Sequence, residues 1–369
     1  MKKTLSAISL FSGAGGMDVG FVRAGISVKV ANEINKDAAA TYQRNHPDSK
    51  IYTSDINEVF EEISETKDID IVFGGPPCQG FSVAGKMDPN DERNTLIWSF
   101  LDVVHIVQPR AFVMENVKAL GSLEKWKPVR DEIFKRAENM GYSCEMFILN
   151  SADFGVPQKR ERVFFIGFLN KDTKRETLEA DFIKLHKPSR SIRDTIKHLG
   201  PAGSESNPQT CTAKITFASN PILRKSPYAG MLFNGMGRPL NIDETSNTLP
   251  ASMGGNKTPI IDEEYLHGDE KENWVNGYHE AVTNNELDPK FQSAPSRLRR
   301  LTIKEAALIQ TFPEDYIFEG SKSSVYRQIG NAVPCELAEV VAKVVVKELK
   351  SSDCNLKERE RQISFATLF

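Results

Sequence analysis

Short apolar runs alternate with amphipathic stretches through the first 168 residues of the chain. Helices are predicted between the apolar runs, one ending near Gly25 and one capped by Asn35, with two more near 95–107 and 128–140. The apolar runs predict strands at 5–11, 27–33, 69–73, 111–115, 143–149 and 162–168. Strands that alternate with helices in this way predict an α/β fold with a doubly wound, mostly parallel sheet.

The pattern changes after Phe168, where proline, glycine, asparagine, serine and threonine become frequent, as in 200–209 and 234–239. Regular spacing returns with a helical stretch at 301–310 and with a valine-rich helix that follows Pro334. The chain is therefore predicted to divide into a first domain, a second, smaller and loop-rich domain, a segment that returns to the first domain, and a tail. The predicted boundaries are 1–168, 169–300, 301–350 and 351–369.

Composition indicates a globular protein, with 40% apolar and 26% charged residues. No run of eighteen or more apolar residues occurs and no signal peptide follows Met1, so we expect a cytoplasmic protein without a membrane span. The formal net charge of −3 argues against nucleic-acid binding driven by overall charge. Any contact with DNA must come from local basic patches.

The five cysteines are scattered without a C-x-x-C pair, which argues against a disulfide framework and a cysteine zinc site. The six histidines show no metal-binding spacing, so no metal is expected. Cys78 stands apart because it lies in GGPPCQGFS, directly after the predicted strand 69–73. Two prolines stiffen the backbone before a thiol placed where open α/β sheets bind ligands. The alternative is a buried structural cysteine, which is the commoner role.

A glycine-rich turn, FSGAGG at 11–16, follows the first predicted strand and allows close approach of a ligand. Because Asp18 occupies the third position of the G-x-G-x-x-G pattern, a dinucleotide site is disfavoured. Glu33 is expected to end the strand 27–33, and Asp55 is expected to end a short additional strand, third along the chain, that precedes 69–73. Carboxylates at these strand ends can accept from ribose hydroxyls and an adenine amino group. Helix capping or surface solvation is the alternative for both acids.

Charged residues mark three further segments. Glu115 closes the strand 111–115, and alternation after Gln158 places Arg160 and Arg162 on one face of a strand. The alternative for the two arginines is a surface charge ladder. The densest basic cluster comprises Arg297, Arg299, Arg300 and Lys304.

GGPPCQGFS resembles the nucleophile motif of the DNA cytosine-5 methyltransferases of bacterial restriction-modification systems. Three further segments resemble blocks of that family in the same order: Glu-Asn-Val at 115–117, Gln-Lys-Arg-Glu-Arg at 158–162, and YRQIGNAVP at 326–334. Together the similar segments span about 10–167 and 297–334. The resemblance implies a Rossmann-like S-adenosylmethionine-dependent catalytic domain, completed by the returning segment. It also implies that 169–300 is a target-recognition domain.

The resemblance implies roles for individual residues. The implied catalytic residues are the nucleophile Cys78, the acid Glu115, and Arg160 and Arg162. Those implied for the cofactor are Phe11, Gly13, Gly15, Gly16, Glu33, Ile34, Asp55, Ile56, Pro77, Leu96 and Asn331. Those implied for DNA are Gln79, Ser82, Lys86 and Arg93 in a lid over a flipped base, Thr248 and Leu249 in the recognition core, and Arg297 and Arg299 at phosphates.

The implied activity is methyl transfer from S-adenosyl-L-methionine to carbon 5 of cytosine, by base flipping and a covalent Cys78 adduct. The implied setting is a monomer on double-stranded DNA in a bacterial cytoplasm, near the nucleoid, with a cognate restriction endonuclease as functional partner. Two alternatives stay open. One is an RNA cytosine-5 methyltransferase on the same scaffold, and the other is a non-catalytic DNA-binding regulator.

Overall fold

The computed structural model describes the backbone of residues 4–77, 95–288 and 294–366. Eight strands come first along the chain: β1 (Leu5–Leu10), β2 (Ile26–Asn32), β3 (Lys50–Tyr52), β4 (Ile71–Gly74), β5 (Ala111–Val117), β6 (Tyr142–Asn150), β7 (Gln158–Lys159) and β8 (Glu161–Leu169). The helices between them are α1 (Gly16–Arg23), α2 (Lys36–Asn45), α3 (Phe60–Ser64), α4 (Thr95–Val107), α5 (Lys118–Ser122) and α6 (Lys127–Asn139).

The rest of the described chain has shorter strands and further helices. The strands are β9 (Phe217–Ile222), β10 (Met231–Phe233), β11 (Ser246–Asn247), β12 (Ile260–Asp262) and β13 (Leu298–Arg300). The helices are α7 (Arg175–Lys184), α8 (Ile192–Ile196), α9 (Glu263–His267), α10 (Trp274–Thr283), α11 (Ile303–Ile309), α12 (Lys322–Asn331) and α13 (Cys335–Ala366).

One seven-stranded sheet organises the fold, in the order β3-β2-β1-β4-β5-β8-β6. Its first five strands are parallel, whereas β8 runs antiparallel to both β5 and β6. The winding direction changes between β1 and β4, and the carboxyl ends at such a switch point form the crevice where open α/β sheets bind ligands. The α/β class with a mostly parallel sheet is confirmed.

Side chains alternate between the two faces of the sheet, and each face carries its own core. Ala7, Phe73 and Val113 face one core, where α1, α7 and α13 cover the sheet. On the other face, alternate residues of the same strands pack against α4 and α6, where Trp126 is fully buried. Because both faces are covered, the strands are buried along almost their whole length, as expected for parallel strands.

Two smaller cores lie among the later elements. One is an aromatic cluster formed by Phe217, Phe233, Trp274 and Tyr278, with β9, β10 and α10 around it. The other joins 192–199 and 240–266 to α11 and α12, and it reaches Val19 in α1. These contacts tie the loop-rich part of the chain to the edge of the large sheet. No helix in the described ranges combines the length and the apolar character that crossing a membrane requires.

Some of the local sequence predictions are confirmed by the structure, and others are wrong. Asn35 caps α2 as predicted, its side chain accepting from Ala38 N at 3.0 Å. The third strand ends at Tyr52, so Asp55 lies in the following loop and not at a strand end. The sequence pattern also did not predict α12, and α13 continues to Ala366 through most of the predicted tail.

Candidate active site

A cavity of about 1100 Å³ opens at the carboxyl edge of the large sheet. The segments that follow β1, β2, β4 and β5 form one wall of it, and 248–253 with 323–333 form the other. The predicted site residues that line the cavity are Phe11, Gly13, Gly16, Glu33, Ile34, Asp55, Ile56, Pro77, Leu96, Glu115, Arg160, Arg162, Thr248, Leu249 and Asn331. Residues separated by more than 300 positions in the sequence therefore meet in one place.

The remaining predicted residues fall into three groups. Gly15 packs away from the cavity, because a Cβ there would meet His46 Nε2 at 2.6 Å and the Tyr316 hydroxyl at 2.8 Å. Arg297 and Arg299 also do not line the cavity. Cys78, Gln79, Ser82, Lys86 and Arg93 lie outside the described residues.

The glycine turn after β1 is held open by a carboxylate. Gly13 has a φ of +56° and free space around the position of a Cβ. Glu33 accepts from Gly13 N at 2.8 Å and from Asn35 N at 2.7 Å. Burial raises the pKa of the Glu33 carboxyl, although both hydrogen bonds oppose this change. The turn therefore offers an open cradle beside a fixed acid.

Glu115 lies near the end of β5, next to the segment that leads to Cys78. Its Oε1 is 2.8 Å from Arg162 Nε, and the position of a Cβ on Gly75 would be 2.7 Å from its Oε2. Burial raises the pKa of Glu115, and the positive charges of Arg162 and Arg160 oppose the increase. A largely buried carboxyl of this kind can hold a proton and deliver it to a group in the cavity.

The Pro-Pro step before Cys78 is fixed from β5. Asn116 is almost fully buried and donates from Nδ2 to the carbonyl oxygen of Pro76 at 3.1 Å. Its Oδ1 accepts from Val117 N at 2.9 Å. Glu115 and the backbone that leads to Cys78 therefore share one rigid strand end.

Arg160 is buried at 2% exposure and joins three segments of the chain. Its guanidinium donates to the carbonyl oxygens of Leu249 at 3.1 Å, Gly330 at 2.9 Å and Asn331 at 3.3 Å. A permanently charged group with a planar set of donors suits several carbonyl acceptors at once. Arg160 thus fixes the wall of the cavity that lies opposite the glycine turn.

Gln158 and Gln310, which the sequence did not single out as a pair, add to the contacts that Arg160 makes with the opposite wall. Gln158 donates from Nε2 to Gln310 Oε1 at 2.8 Å and accepts from Leu249 N at 2.9 Å. Gln310 in turn donates to the carbonyl oxygen of Ile329 at 2.6 Å. Both are fully buried, and buried amides need such partners to offset their desolvation. The Thr248 hydroxyl also has a partner within the protein, because it donates a hydrogen bond to the carbonyl oxygen of Lys159 at 2.8 Å.

Arg297 and Arg299 belong to a network of carboxylates. Arg297 Nε is 2.8 Å from Asp262, and its Nη1 is 3.1 Å from Glu270. Arg299 pairs with Glu263 and, at 2.6 Å, with Glu305. Any phosphate that approached these guanidiniums would compete with acids already in place.

Asp18, at the position that excluded a dinucleotide site, is fully buried under the glycine turn. The Tyr42 hydroxyl donates to its Oδ1 at 2.9 Å. Burial raises the pKa of Asp18 to about 7, although this hydrogen bond opposes the increase. A raised folded-state pKa means that the folded protein binds a proton that the unfolded chain releases between about pH 4 and pH 7.

We therefore expect Asp18 to lower stability as pH rises through this range. Relative to an Asp18→Asn variant, the free energy of unfolding of the original protein should fall by roughly 2–4 kcal/mol between pH 4.5 and pH 8. Urea unfolding of both proteins across this range measures the difference. Exposed Asp48→Asn is the matched control for replacing a surface carboxylate by an amide. A pH-independent difference for Asp18→Asn would disprove the assignment.

Comparisons with known proteins agree with one another. The model of the family described as "C-5 cytosine-specific DNA methylase" matches residues 5–347. The chain is 34% identical over 352 residues to the Type II methyltransferase M1.HphI of Haemophilus parahaemolyticus, covering 93% of this chain and 87% of the relative. It is 32% identical over 373 residues to the Type II methyltransferase M.FnuDI of Fusobacterium nucleatum, covering 98% and 100%.

Solved structures share the fold at lower sequence identity. A putative DNA modification methyltransferase encoded within an E. coli prophage matches with a TM-score of 0.64 and 24% identity, covering 94% of this chain and 99% of that one. The S. pombe Dnmt2 methyltransferase matches with a TM-score of 0.65 and 19% identity, also covering 94% and 99%. At these identities the structural matches bear on the fold alone.

Proposed function

The chain belongs to the C-5 cytosine-specific DNA methylase family and is a DNA cytosine-5 methyltransferase of restriction-modification type, and on this premise we propose how its own residues carry out the reaction. The observation that carries the proposal is the position of Glu115. This buried acid lies against Gly75, in the Gly75–Pro77 segment that immediately precedes Cys78. Both line the cavity that also contains the glycine turn. Bisulfite sequencing of DNA from cells that express the chain tests the activity and reports the methylated sequence. Unmodified cytosines throughout would contradict it.

The cavity suits S-adenosyl-L-methionine as the methyl donor. Its volume of about 1100 Å³ accommodates a nucleoside with an amino-acid side chain, and the open space at Gly13 allows close approach to backbone. When bound, the cofactor supplies the methyl group that is transferred. We assign the ribose hydroxyls to Glu33 and the adenine amino group to Asp55. Apolar packing and closure of the pocket fall to Phe11, Gly16, Ile34, Ile56, Pro77, Leu96 and Asn331.

Replacement of Glu33 by glutamine should weaken cofactor binding. The variant keeps one oxygen for the backbone amides but loses the charge that strengthens hydrogen bonds to ribose hydroxyls. We expect the Kd for S-adenosylmethionine, measured by calorimetry, to rise about tenfold or more. The variant Glu58→Gln, at an exposed glutamate that does not line the cavity, should bind as the original protein does. An unchanged Kd in Glu33→Gln would remove Glu33 from the site.

We propose that the Cys78 thiolate adds to carbon 6 of cytosine while Glu115 donates a proton to nitrogen 3. The product is an enamine whose carbon 5 is nucleophilic enough to accept a methyl group. After the methyl group is transferred, the carbon 5 proton is lost to solvent and the nitrogen 3 proton returns to the Glu115 carboxylate. The carbon–sulfur bond breaks in the same stage, which restores the double bond between carbons 5 and 6, the thiolate and the carboxylic acid. The raised pKa of Glu115 supports the donor role, because an ordinary glutamate would be ionised at neutral pH.

The two arginines are proposed to act differently. Arg162 contacts Glu115 through Nε and donates from Nη1 to Glu161 O, so we propose that its Nη2 group donates to the carbonyl oxygen at position 2 of cytosine. Arg160 uses its donors on backbone carbonyls of the opposite wall, so we propose it as a positioning residue. This division follows from the acceptors that each guanidinium meets.

Duplex DNA is the proposed form of the substrate, and 169–300 is the proposed target-recognition domain between the parts 1–168 and 301–350 of the catalytic domain. Closure of the 79–93 segment over a flipped cytosine, with phosphate contacts by Ser82, Lys86 and Arg93, stays a prediction. So do the DNA contacts of Gln79, Thr248, Leu249, Arg297 and Arg299. The carboxylate partners of Arg297 and Arg299 favour a role within the protein instead.

We further propose a monomer that acts in the cytoplasm beside a restriction endonuclease with the same recognition sequence. The curated relatives named Type II methyltransferases support this setting. Parallel methylation assays on duplex DNA and tRNA separate the proposed substrate from RNA. Methylation of tRNA with none of DNA would contradict the proposal.

A further inference from the structure

Met236 combines two unfavourable properties. Its φ of +68° lies in the left-handed region, which a side chain as large as methionine rarely adopts, and it is 60% exposed. Among the described non-glycine residues with positive φ, the exposed ones other than Met236 are polar. Backbone strain that persists in a fold concentrates at ligand-binding sites. An exposed apolar side chain held in a strained conformation therefore calls for a functional explanation.

The turn around Met236 is held rigidly by its neighbours. Gly237 donates to the carbonyl oxygen of Asn256 at 3.0 Å, and a Cβ on Gly237 would lie 2.4 Å from Arg300 Nη1. Arg300 is buried and donates to the carbonyl oxygens of Asn256 at 3.1 Å and of Thr258 at 2.7 Å. These bonds fix Gly237 and the 256–258 segment that it contacts, so the fold holds the backbone next to Met236 in place.

The turn adjoins the rim of the active-site cavity. A Cβ on Gly235 would lie 2.1 Å from Asn256 Cβ, so the Met236 turn and the 252–257 segment are in contact. Within that segment, Ser252 and Met253 line the cavity, and Gly254 packs against Ser323 of the same wall. A surface that runs from the cavity across 252–257 therefore ends at Met236.

Two cations flank the methionine. Arg238 follows it by two residues, and Lys257 lies next to Asn256; both are exposed. Neither makes an ion pair with a residue that the structure describes, in contrast to Arg297 and Arg299, which are paired with acids. The turn thus carries an exposed apolar side chain near two positive charges that form no ion pair with a described residue.

We infer that Met236 contacts the bases of the recognition sequence directly, with Arg238 and Lys257 on the flanking phosphates. Apolar side chains contact thymine methyl groups or enter a base step, whereas cations beside them position the protein on the backbone. The inference rests on the proposed duplex DNA substrate and does not depend on the covalent mechanism. It makes Met236 a determinant of sequence specificity.

Met236→Gly separates a DNA contact from a structural role. Glycine relieves the left-handed strain, so the melting temperature should stay the same or rise. Affinity for a duplex that carries the methylated site should nevertheless fall by about tenfold, and discrimination against other duplexes should fall with it. Met236→Leu keeps an apolar side chain and should bind within about threefold of the original protein. Calorimetric binding of S-adenosylmethionine should not change in either variant.

Two matched controls isolate the cause. Asn285→Gly relieves a similar strain, at a φ of +58°, and Leu223→Ala removes another partly exposed apolar side chain of the same region. Both should bind DNA as the original protein does. Arg238→Gln and Lys257→Gln should each reduce the slope of log Kd against log salt by about one. Lys67→Gln, before β4 at the opposite edge of the sheet, should leave the slope unchanged.

The outcomes are distinguishable. If Met236→Gly binds and discriminates like the original protein while that protein methylates DNA, the inference is overturned and the function stands. Unchanged salt slopes for Arg238→Gln and Lys257→Gln would overturn the phosphate contacts. A wild-type protein that methylates no duplex DNA would overturn the proposed function and, with it, the assignment of Met236.

Discussion

Replacing Cys78 with alanine is expected to abolish methyl transfer. Loss of a catalytic nucleophile lowers kcat on the order of 10⁴–10⁶-fold, because the adduct that activates carbon 5 can no longer form. Incorporation of labelled methyl groups into duplex DNA measures the effect. Binding of S-adenosylmethionine, measured by calorimetry, should remain close to that of the original protein.

Cys144→Ala is the matched control for this experiment. Cys144 is partly buried in β6, and burial raises the pKa of its thiol far above the usual range, so it is held as an inert thiol. The control should retain full activity. If Cys78→Ala also retained activity, a different nucleophile or a different mechanism would be required.

Glu115→Gln should produce the second largest effect. The amide cannot deliver a proton to nitrogen 3, so kcat should fall by about 10²–10⁴-fold. The pH dependence follows from the same acid. Because burial raises the pKa of Glu115, the protonated form extends to higher pH than for an ordinary glutamate, and its contribution is lost as pH rises through that raised pKa. In Glu115→Gln, the single-turnover rate should no longer decline over this pH range.

Glu161→Gln supplies the control for the acid. Glu161 lies on the exposed side of β8 and pairs with Lys118 at 2.7 Å, so it shares the neighbourhood of Arg162 without reaching the cavity. The rate and the pH profile of the Glu161→Gln variant should match those of the original protein. Equal rates in Glu115→Gln and Glu161→Gln would show that Glu115 is not the proton donor.

The sequence predicted the first half of the fold because each element there has a local cause. Apolar residues of β1, β4 and β5 are nearly continuous, as strands buried on both faces require, and Asn35 carries its own capping signal. The carboxyl ends of such strands must meet at one edge. For this reason Glu33 and Glu115, which are 82 positions apart in the sequence, were both expected at the edge where the cavity lies.

The remaining features depend on distant parts of the chain. Gln158 and Gln310 become a buried pair only when segments 152 positions apart meet, and a lone glutamine carries no sign of its partner. Arg160 was predicted as a site residue from its block, yet its three carbonyl partners are set by the path of 249 and 330–331. In the same way, glycines on either side of Met236 indicate a turn, but the contacts of Gly237 with Asn256 and Arg300 come from segments that are distant in the sequence.

Trapping on 5-fluorocytosine tests the covalent account most directly, because fluorine at carbon 5 cannot leave as a cation and the adduct therefore persists. With S-adenosylmethionine and a duplex that carries 5-fluorocytosine at the methylated position, the original protein should form a denaturation-resistant complex. Peptide mapping should place the link at Cys78, and Cys78→Ala should form none. A protein that methylates ordinary DNA but traps no complex, or one whose adduct maps to another residue, would contradict the mechanism.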